Sequence, residues 1–211
     1  MSAPLAAALL PLALLAPAAV PVSTTDAVFD PATAFVPPTA ISHAPDLVPY
    51  GSHVRVVVDR SAPGRTVLTM SVTGVAADRE FPVHLHTGPC GADPAASGPH
   101  YQDAVDPVRP STDPAYANDR NELRLALRTD GHGDGTAATV VAWQPRAGEA
   151  RSLVLHAGGP TDPTGARGRH GAQDAAGAHG SADAHGSAGA HAQRGQHGAN
   201  DRVACVKLEE L

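Results

Sequence analysis

The chain has 211 residues, and its 15 basic residues stand against 21 acidic ones, for a net charge of −6. This length allows one domain with additions, and the charge argues against a general nucleic-acid binder, which would carry a basic patch. Aromatic residues make up only 3% of the chain, beside 21 glycines and 20 prolines. This composition argues against a helical bundle and favours short strands joined by long loops.

The N-terminal residues 3–20 form a run of Ala, Leu and Pro without charge. The run is too short and too interrupted by proline to span a membrane, and small and Thr-rich residues follow it, as after a secretory signal. We therefore predict a signal peptide over residues 1–27 and a secreted or otherwise extracytoplasmic protein, with no transmembrane segment after cleavage. Because the basic start of such a signal is missing, a disordered apolar N-terminus or a wrongly chosen start codon remains an alternative.

The rest of the chain reads as an all-β domain. Residues 28–45 are rich in Pro, Ala and Thr and predict a linker, followed by a β domain over 46–211. Alternating or β-branched runs bounded by turn residues predict seven short antiparallel strands, at residues 53–59, 65–74, 79–86, 121–129, 136–143, 150–156 and 201–208. Such a series is typical of a β-sandwich or flattened barrel.

Two long segments interrupt the strands. Residues 87–120 show no periodicity, and a loop of this length in a compact domain is usually functional or disordered. Residues 158–200 predict a flexible insertion of Gly, Ala and His with almost no apolar bulk. Histidines recur in it every six residues, at His179, His185, His191 and His197. The insertion is either a low-complexity tract without a role or a weak collector of copper or zinc.

The strand at residues 79–86 carries the first candidate metal ligands. His84 and His86 are two residues apart, so a strand would place both imidazoles on one face, where they can bind one ion. The pair could also be two surface histidines. Cys90 follows, and Cys205 is the second of the two cysteines; an exported chain favours one disulfide between them, closing a loop of more than 100 residues. Two reduced, buried thiols are the alternative.

The order of these features carries a family resemblance. His-x-His is followed by Cys90, by Gly98-Pro-His-Tyr101, by a strand that ends at His156, and by Arg202-Val-Ala-Cys205. This resembles the copper/zinc superoxide dismutase family, in particular its divergent exported actinobacterial forms, over about residues 50–157 and 200–208. His-x-His alone is common, whereas the ordered set is fairly specific.

The resemblance implies an eight-stranded Greek-key β-sandwich and a set of roles for residues of this chain. Four histidines are implied as copper ligands: His84, His86, His100 and His156. His100 resembles the histidine that bridges copper and zinc, and it is our candidate proton donor. Arg202 resembles the arginine that guides superoxide to the copper, and Cys90 and Cys205 resemble the family's disulfide.

The chain also departs from the family pattern. The family has two more histidines and an aspartate for zinc after the bridging histidine, but no histidine occurs here between His100 and Asn121. The candidate zinc ligands in that segment are four carboxylates: Asp103, Asp106, Asp113 and Asp119. Because zinc prefers nitrogen and sulfur ligands, we predict a copper site without zinc. The His-rich insertion also replaces the family's electrostatic loop.

Taken together, these features predict an exported copper-dependent superoxide dismutase whose substrate is superoxide. A copper-binding or copper-buffering protein on the same fold is the main alternative, and a catalytically inactive structural relative is a further one. The presence of Arg202 favours the enzyme, because a buffering protein has no need of it. The sequence carries no indication of the oligomeric state.

Overall fold

A computed structural model of the protein describes residues 22–33, 38–161, 197–198, 200–209 and 211. The described chain is all-β, with one short 3-10 helix at Pro94–Ser97. Its ten strands are, in chain order, β1 Val22–Pro31, β2 Ala40–Ser42, β3 His53–Asp59, β4 Thr66–Thr73, β5 Arg79–His86, β6 Arg124–Arg128, β7 Gly135–Val141, β8 Ser152–His156, β9 Gly159–Pro160 and β10 Arg202–Lys207. No helix of the described residues is long and apolar enough to cross a membrane.

The strands form one mixed sheet that nearly closes into a barrel. They are hydrogen-bonded in the order β6-β5-β8-β10-β2-β1-β3-β4-β7, and β9 pairs with β5 off this path. The two end strands, β6 and β7, also lie against each other. Since β8 returns to lie beside β5, the spatial order β8-β5-β6-β7 is that of a Greek key. The predicted all-β sandwich or flattened barrel is confirmed, with all seven predicted strands present.

The core lies inside this barrel because apolar residues alternate along its strands. On β3, Val54, Val56 and Val58 are buried, and on β5, Phe81, Val83 and Leu85 are buried in the same cluster. Residues between them point to the other face of the sheet. The alternation that predicts the strands therefore also decides which side chains face away from the core and are available to form a site.

Part of the segment predicted as a linker, residues 28–45, belongs to the sheet. β1 pairs with β3 from Val22↔Asp59 to Val28↔His53, and then with β2 in parallel. The predicted signal peptide over residues 1–27 overlaps the first six residues of β1, and residues 1–21 lie outside the described residues. The hydrophobic pattern hides β1, because only Thr25 and Phe29 of its ten residues are buried.

The predicted insertion over 158–200 lies mostly outside the described residues. At its start, Gly159 and Pro160 pair with Glu80 and Arg79 of β5, so these two residues belong to the sheet as β9. At its end, His197 contacts the carboxylate of Asp46 at 3.0 Å. The histidine repeat between these points is not described.

Candidate metal centre

Strand β5 carries two histidines on the face opposite the core. Phe81, Val83 and Leu85 fill the barrel, so the intervening His84 and His86 point outward on one side of the sheet. This confirms the placement expected from their spacing. They do not face open water, because the long connection from β5 to β6 folds back over them: His86 forms an isolated antiparallel bridge with His100.

The beginning of that connection is shaped to hold His86 and His100 together. The 3-10 helix Pro94–Ser97 ends at Gly98, whose φ of +68° favours glycine over any residue with a side chain. The turn directs the Gly98 carbonyl to Nδ1 of His86 at 2.9 Å, and the chain then pairs Tyr101 with Leu85. The local fold therefore brings a loop histidine beside the two strand histidines.

His156 reaches the same place from β8. In the pairing of β5 with β8, Val83 lies opposite Leu155 and His84 lies opposite Val154. Leu155 belongs to the core, so His156 lies on the outer face with His84. Its Nδ1 bonds to the carbonyl of Asn200 at 2.8 Å.

The four histidines converge on one point. One ring nitrogen from each of His84, His86, His100 and His156 lies within 4.8 Å of all the others. Two nitrogens on opposite sides of one ion would lie about 4.2 Å apart at ordinary metal–nitrogen bond lengths. Within the described ranges this is the one group of three or more His, Cys, Asp or Glu side chains that could hold a metal ion.

The nitrogens that face the centre are ready to act as ligands. Nδ1 of His84 and Nε2 of His86 are buried and have no hydrogen-bond partner. Burial and the neighbouring imidazoles lower the pKa of His84, and they lower the pKa of His86 to about 3. A neutral imidazole has a free lone pair, which metal binding requires. The residues present therefore fit a metal ion better than they fit an ordinary polar core, in which buried groups are paired.

The far sides of the rings are held by hydrogen bonds, as is usual for metal-ligating histidines. His86 and His156 use backbone carbonyls, whereas Nδ1 of His100 bonds to Oε2 of Glu122 at 3.1 Å. Glu122 is only 3% exposed and also accepts from Gln102 and Arg124. Burial raises its pKa, but the hydrogen bonds from His100 and Gln102 prevail and lower it to about 2.

Glu122 is the residue of this site that sequence reasoning missed. It lies two residues before the start of β6, in which Arg124 lies opposite His84 of β5. The alternating run at residues 121–129 contains the signal, because it places Glu122 and Arg124 on one face. Without the pairing of β5 with β6, that face cannot be assigned to the histidines.

Arg202 and the two cysteines also lie at this face. Arg202 is paired with His156 in the register of β10 and β8. Its Nη1 donates to the carbonyl of Pro94 at 3.1 Å and to Oγ of Ser97 at 2.9 Å. Cys90 and Cys205 form a disulfide across a separation of 115 residues, which confirms the predicted bond. The disulfide fastens the loop that carries Ser97 to the strand that carries Arg202.

The four carboxylates named as poor zinc ligands do not gather around His100. Asp103 and Asp119 are exposed, and Asp119 lies 3.6 Å from Arg124. Asp106 and Asp113 instead accept backbone N–H groups of their own loop, from Val108 and Ala115. Carboxylates placed in this way organise turns.

A cavity of about 610 Å³ opens onto the centre. Its wall includes His84, His100 and His156 together with Glu122 and Arg202. Other histidines lie elsewhere: His53 bonds to Asp26 on the surface, and His132 is exposed in the turn before β7. Three of the predicted ligands thus line a solvent-connected cavity, with the fourth, His86, buried beside them, and the remaining described histidines do not line it.

Comparison with known proteins adds little to this geometry. No family model matches the chain, and no curated protein matches it. Among solved structures, the crystal structure of the clock protein EA4 is similar at 14% identity and a TM-score of 0.45, covering 92% of this chain and 98% of that one. A likeness at this level carries no argument about function, so the family resemblance remains a prediction from the residues.

Proposed function

We propose that this protein is a copper-dependent superoxide dismutase of an oxidising, extracytoplasmic compartment, and that it works without zinc. The reaction consumes two superoxide ions and two protons and yields one molecule of oxygen and one of hydrogen peroxide. The single observation that supports it best is the convergence of four imidazoles at the base of a cavity that also contains Arg202.

The donor set supports copper over the harder cations. Imidazole nitrogens suit copper and zinc, whereas magnesium and calcium prefer oxygen, and a tetragonal nitrogen set favours Cu(II). His84 would contribute Nδ1, and His86, His100 and His156 would contribute Nε2, since the opposite nitrogen of each of these three rings is hydrogen-bonded. Copper in this site would supply one-electron chemistry, accepting an electron from one superoxide and returning it to the next.

The protein must then provide protons and bind an anion. His100 is the proposed proton carrier: Glu122 fixes its Nδ1–H, so Nε2, on the cavity side, is the ring nitrogen that could take up a proton while it is not bound to copper. Glu122 stays ionised because its pKa is held low. Arg202 donates to two neutral oxygens, and Asp93 acts on it only at longer range, so it retains positive charge that attracts anions.

The absence of zinc is part of the proposal and rests on His100. A histidine that bridges two ions must offer both ring nitrogens, but Nδ1 of His100 faces the carboxylate of Glu122 at 3.1 Å. Glu122 is in turn bound by Arg124 at 2.6 Å, which places a positive charge where a second cation would bind. These contacts favour one copper over a copper–zinc pair. The disulfide supports an oxidising compartment, because such bonds persist there and are rare in the cytosol.

The proposal is tested by loading the full-length protein with copper, removing excess metal with a chelator, and measuring superoxide decay. We expect His156→Ala to lower the activity by at least about 100-fold, more than the loss of a supporting contact around a metal site costs. His132→Ala is the matched control, since it removes an exposed imidazole outside the cavity, and it should keep full activity.

Two outcomes would contradict the proposal. Activity that survives His156→Ala would come from copper outside the site, because free copper also consumes superoxide. Wild-type protein that retains copper through the chelator wash and leaves superoxide untouched would be a copper-buffering protein.

A further inference from the structure

The cavity contains a second cation whose side chain is not neutralised. Arg109 lies on the connection between β5 and β6 and lines the same cavity as His84 and Arg202. It is exposed, and in the described part of the chain no carboxylate lies within 4.0 Å of its guanidinium. The chain as a whole carries a net charge of −6, so free positive charge at this opening is a local feature.

Buried hydrogen bonds fix the loop on both sides of Arg109. Asp106 is only 4% exposed, and its carboxylate accepts the N–H of Val108 at 2.8 Å and the hydroxyl of Ser111 at 2.7 Å. Gln102, which is 2% exposed, accepts the N–H of Asp106 at 3.0 Å. The segment that carries Arg109 is therefore anchored immediately before and two residues after it.

Two further hydrogen bonds join this segment to the metal centre. Nε2 of Gln102 donates to Oγ of Ser111 at 3.0 Å and to Oε1 of Glu122 at 2.9 Å. Glu122 is the partner of His100. The position of Arg109 over the cavity thus depends on the group that orients His100, which gives the arginine a defined place relative to the four imidazoles.

The charges around the cavity differ in how far they are neutralised. Three arginines line it, Arg109, Arg124 and Arg202, against the one carboxylate of Glu122. Arg124 is paired with that carboxylate at 2.6 Å. The arginines of this wall without a carboxylate within 4.0 Å in the described part of the chain are Arg202 near the centre, on which Asp93 acts at longer range, and Arg109 at the exposed loop.

We propose that Arg109 recruits small anions to this cavity by its charge. The inference rests on the proposed function, in which the anion is superoxide. Arg109 raises the local concentration of such anions by its charge, without contacting the histidines. A role through charge has two consequences: lysine should replace it, and salt should suppress its effect, since the screening length falls from about 10 Å at 0.1 M to about 3 Å at 1 M.

The test uses azide as a monovalent anion probe on the copper-loaded full-length protein, with its dissociation constant measured by absorption titration. At low salt, we expect Arg109→Gln to weaken azide binding about two- to threefold and Arg109→Glu about five- to tenfold, as for one and two unit charges acting through a largely aqueous path. Arg109→Lys should bind as the wild type does, and all differences should fade near 1 M salt. Arg65→Glu is the matched control, an exposed arginine in the turn before β4.

Superoxide decay, measured in the same samples, separates this inference from the proposed function. One outcome is that the azide affinity changes with the charge at residue 109 while the protein does not accelerate superoxide decay. This outcome would support the role of Arg109 in anion binding and reject the proposed dismutase activity. Superoxide decay with azide affinities that are equal in Arg109→Glu and Arg65→Glu would reject the role of Arg109. Loss of affinity in Arg109→Lys equal to that in Arg109→Gln would also reject it, because it would show a packing effect.

Discussion

At the scale of single residues, burial decides which protonation state the centre has. His86 is fully buried, and its Nε2 has no hydrogen-bond partner. Its pKa falls to about 3, first because burial disfavours the charged ring and then because His100 is close. The folded protein therefore keeps this imidazole neutral across a range in which an exposed one would be protonated. Because the ring is neutral, it can bind a metal ion. The same property lowers the stability of the metal-free protein in acid.

The metal-free protein should lose stability on acidification in a way that depends on His86. Unfolded, the ring takes up a proton near its ordinary pKa of 6.5; folded, it does so only near 3. Between these values the unfolded chain binds more protons, so the free energy of unfolding falls as the pH falls, by at most about 1.4 kcal/mol per pH unit for this group. Urea unfolding of chelator-treated protein from about pH 6 to about pH 4 measures this slope.

His86→Gln removes one titrating ring and should make the slope shallower, whatever it does to the stability at neutral pH, while His84, whose pKa is also lowered, keeps part of it. The exposed ring of His132 offers the control, since His132→Gln should leave the slope unchanged. The lowered pKa of Glu122 acts in the same direction, below about pH 4.5. Equal slopes in the wild type and in His86→Gln would show that the buried ring does not titrate as described.

The sequence predicts the ligands better than it predicts what supports them. His84 and His86 are detectable because strand alternation is local, and the order of the remaining histidines and cysteines carries a resemblance. Glu122 escapes detection because its contact with His100 depends on the pairing of β5 with β6, which begin 45 residues apart. A buried glutamate in an alternating run has no local mark that separates it from a solvent-facing one.

At the scale of elements, the loop after β5 is a structural part of the site. It supplies the Gly98 carbonyl to His86 and two oxygens to Arg202, and the Cys90–Cys205 bond fastens it to β10. β1 shows the limit of sequence patterns at this scale. Because only two of its ten residues are buried, its sequence shows no hydrophobic alternation. Only its pairing with β3 and β2 identifies it as a strand.

Replacing both cysteines, Cys90→Ser with Cys205→Ser, should destabilise the protein by about 4–5 kcal/mol, the chain-entropy value for a loop of somewhat more than 100 residues. Urea unfolding of the oxidised wild type and of the double variant measures the difference. Reductant is the internal control: it should lower the stability of the wild type to that of the variant and leave the variant unchanged. A loss below about 1 kcal/mol would mean that the disulfide does little to hold the loop.

At the scale of the whole molecule, the fold brings distant parts of the chain to one face of the barrel. β5, the loop after it and β8 each contribute a part of the histidine cluster, and β10 adds Arg202 and Cys205. The Greek-key connection makes this possible, because it returns β8 to the side of β5. The barrel interior remains apolar, and the polar chemistry lies outside it under the long loop.

The central claim is that four imidazoles bind one copper ion, and anomalous diffraction at the copper edge from crystals of the copper-loaded protein tests it most directly. Our account predicts one strong peak about 2 Å from the ring nitrogens of His84, His86, His100 and His156. After zinc is added, data at the zinc edge should show no peak at Nδ1 of His100. A copper peak elsewhere, or an empty centre in protein that carries copper, would contradict it.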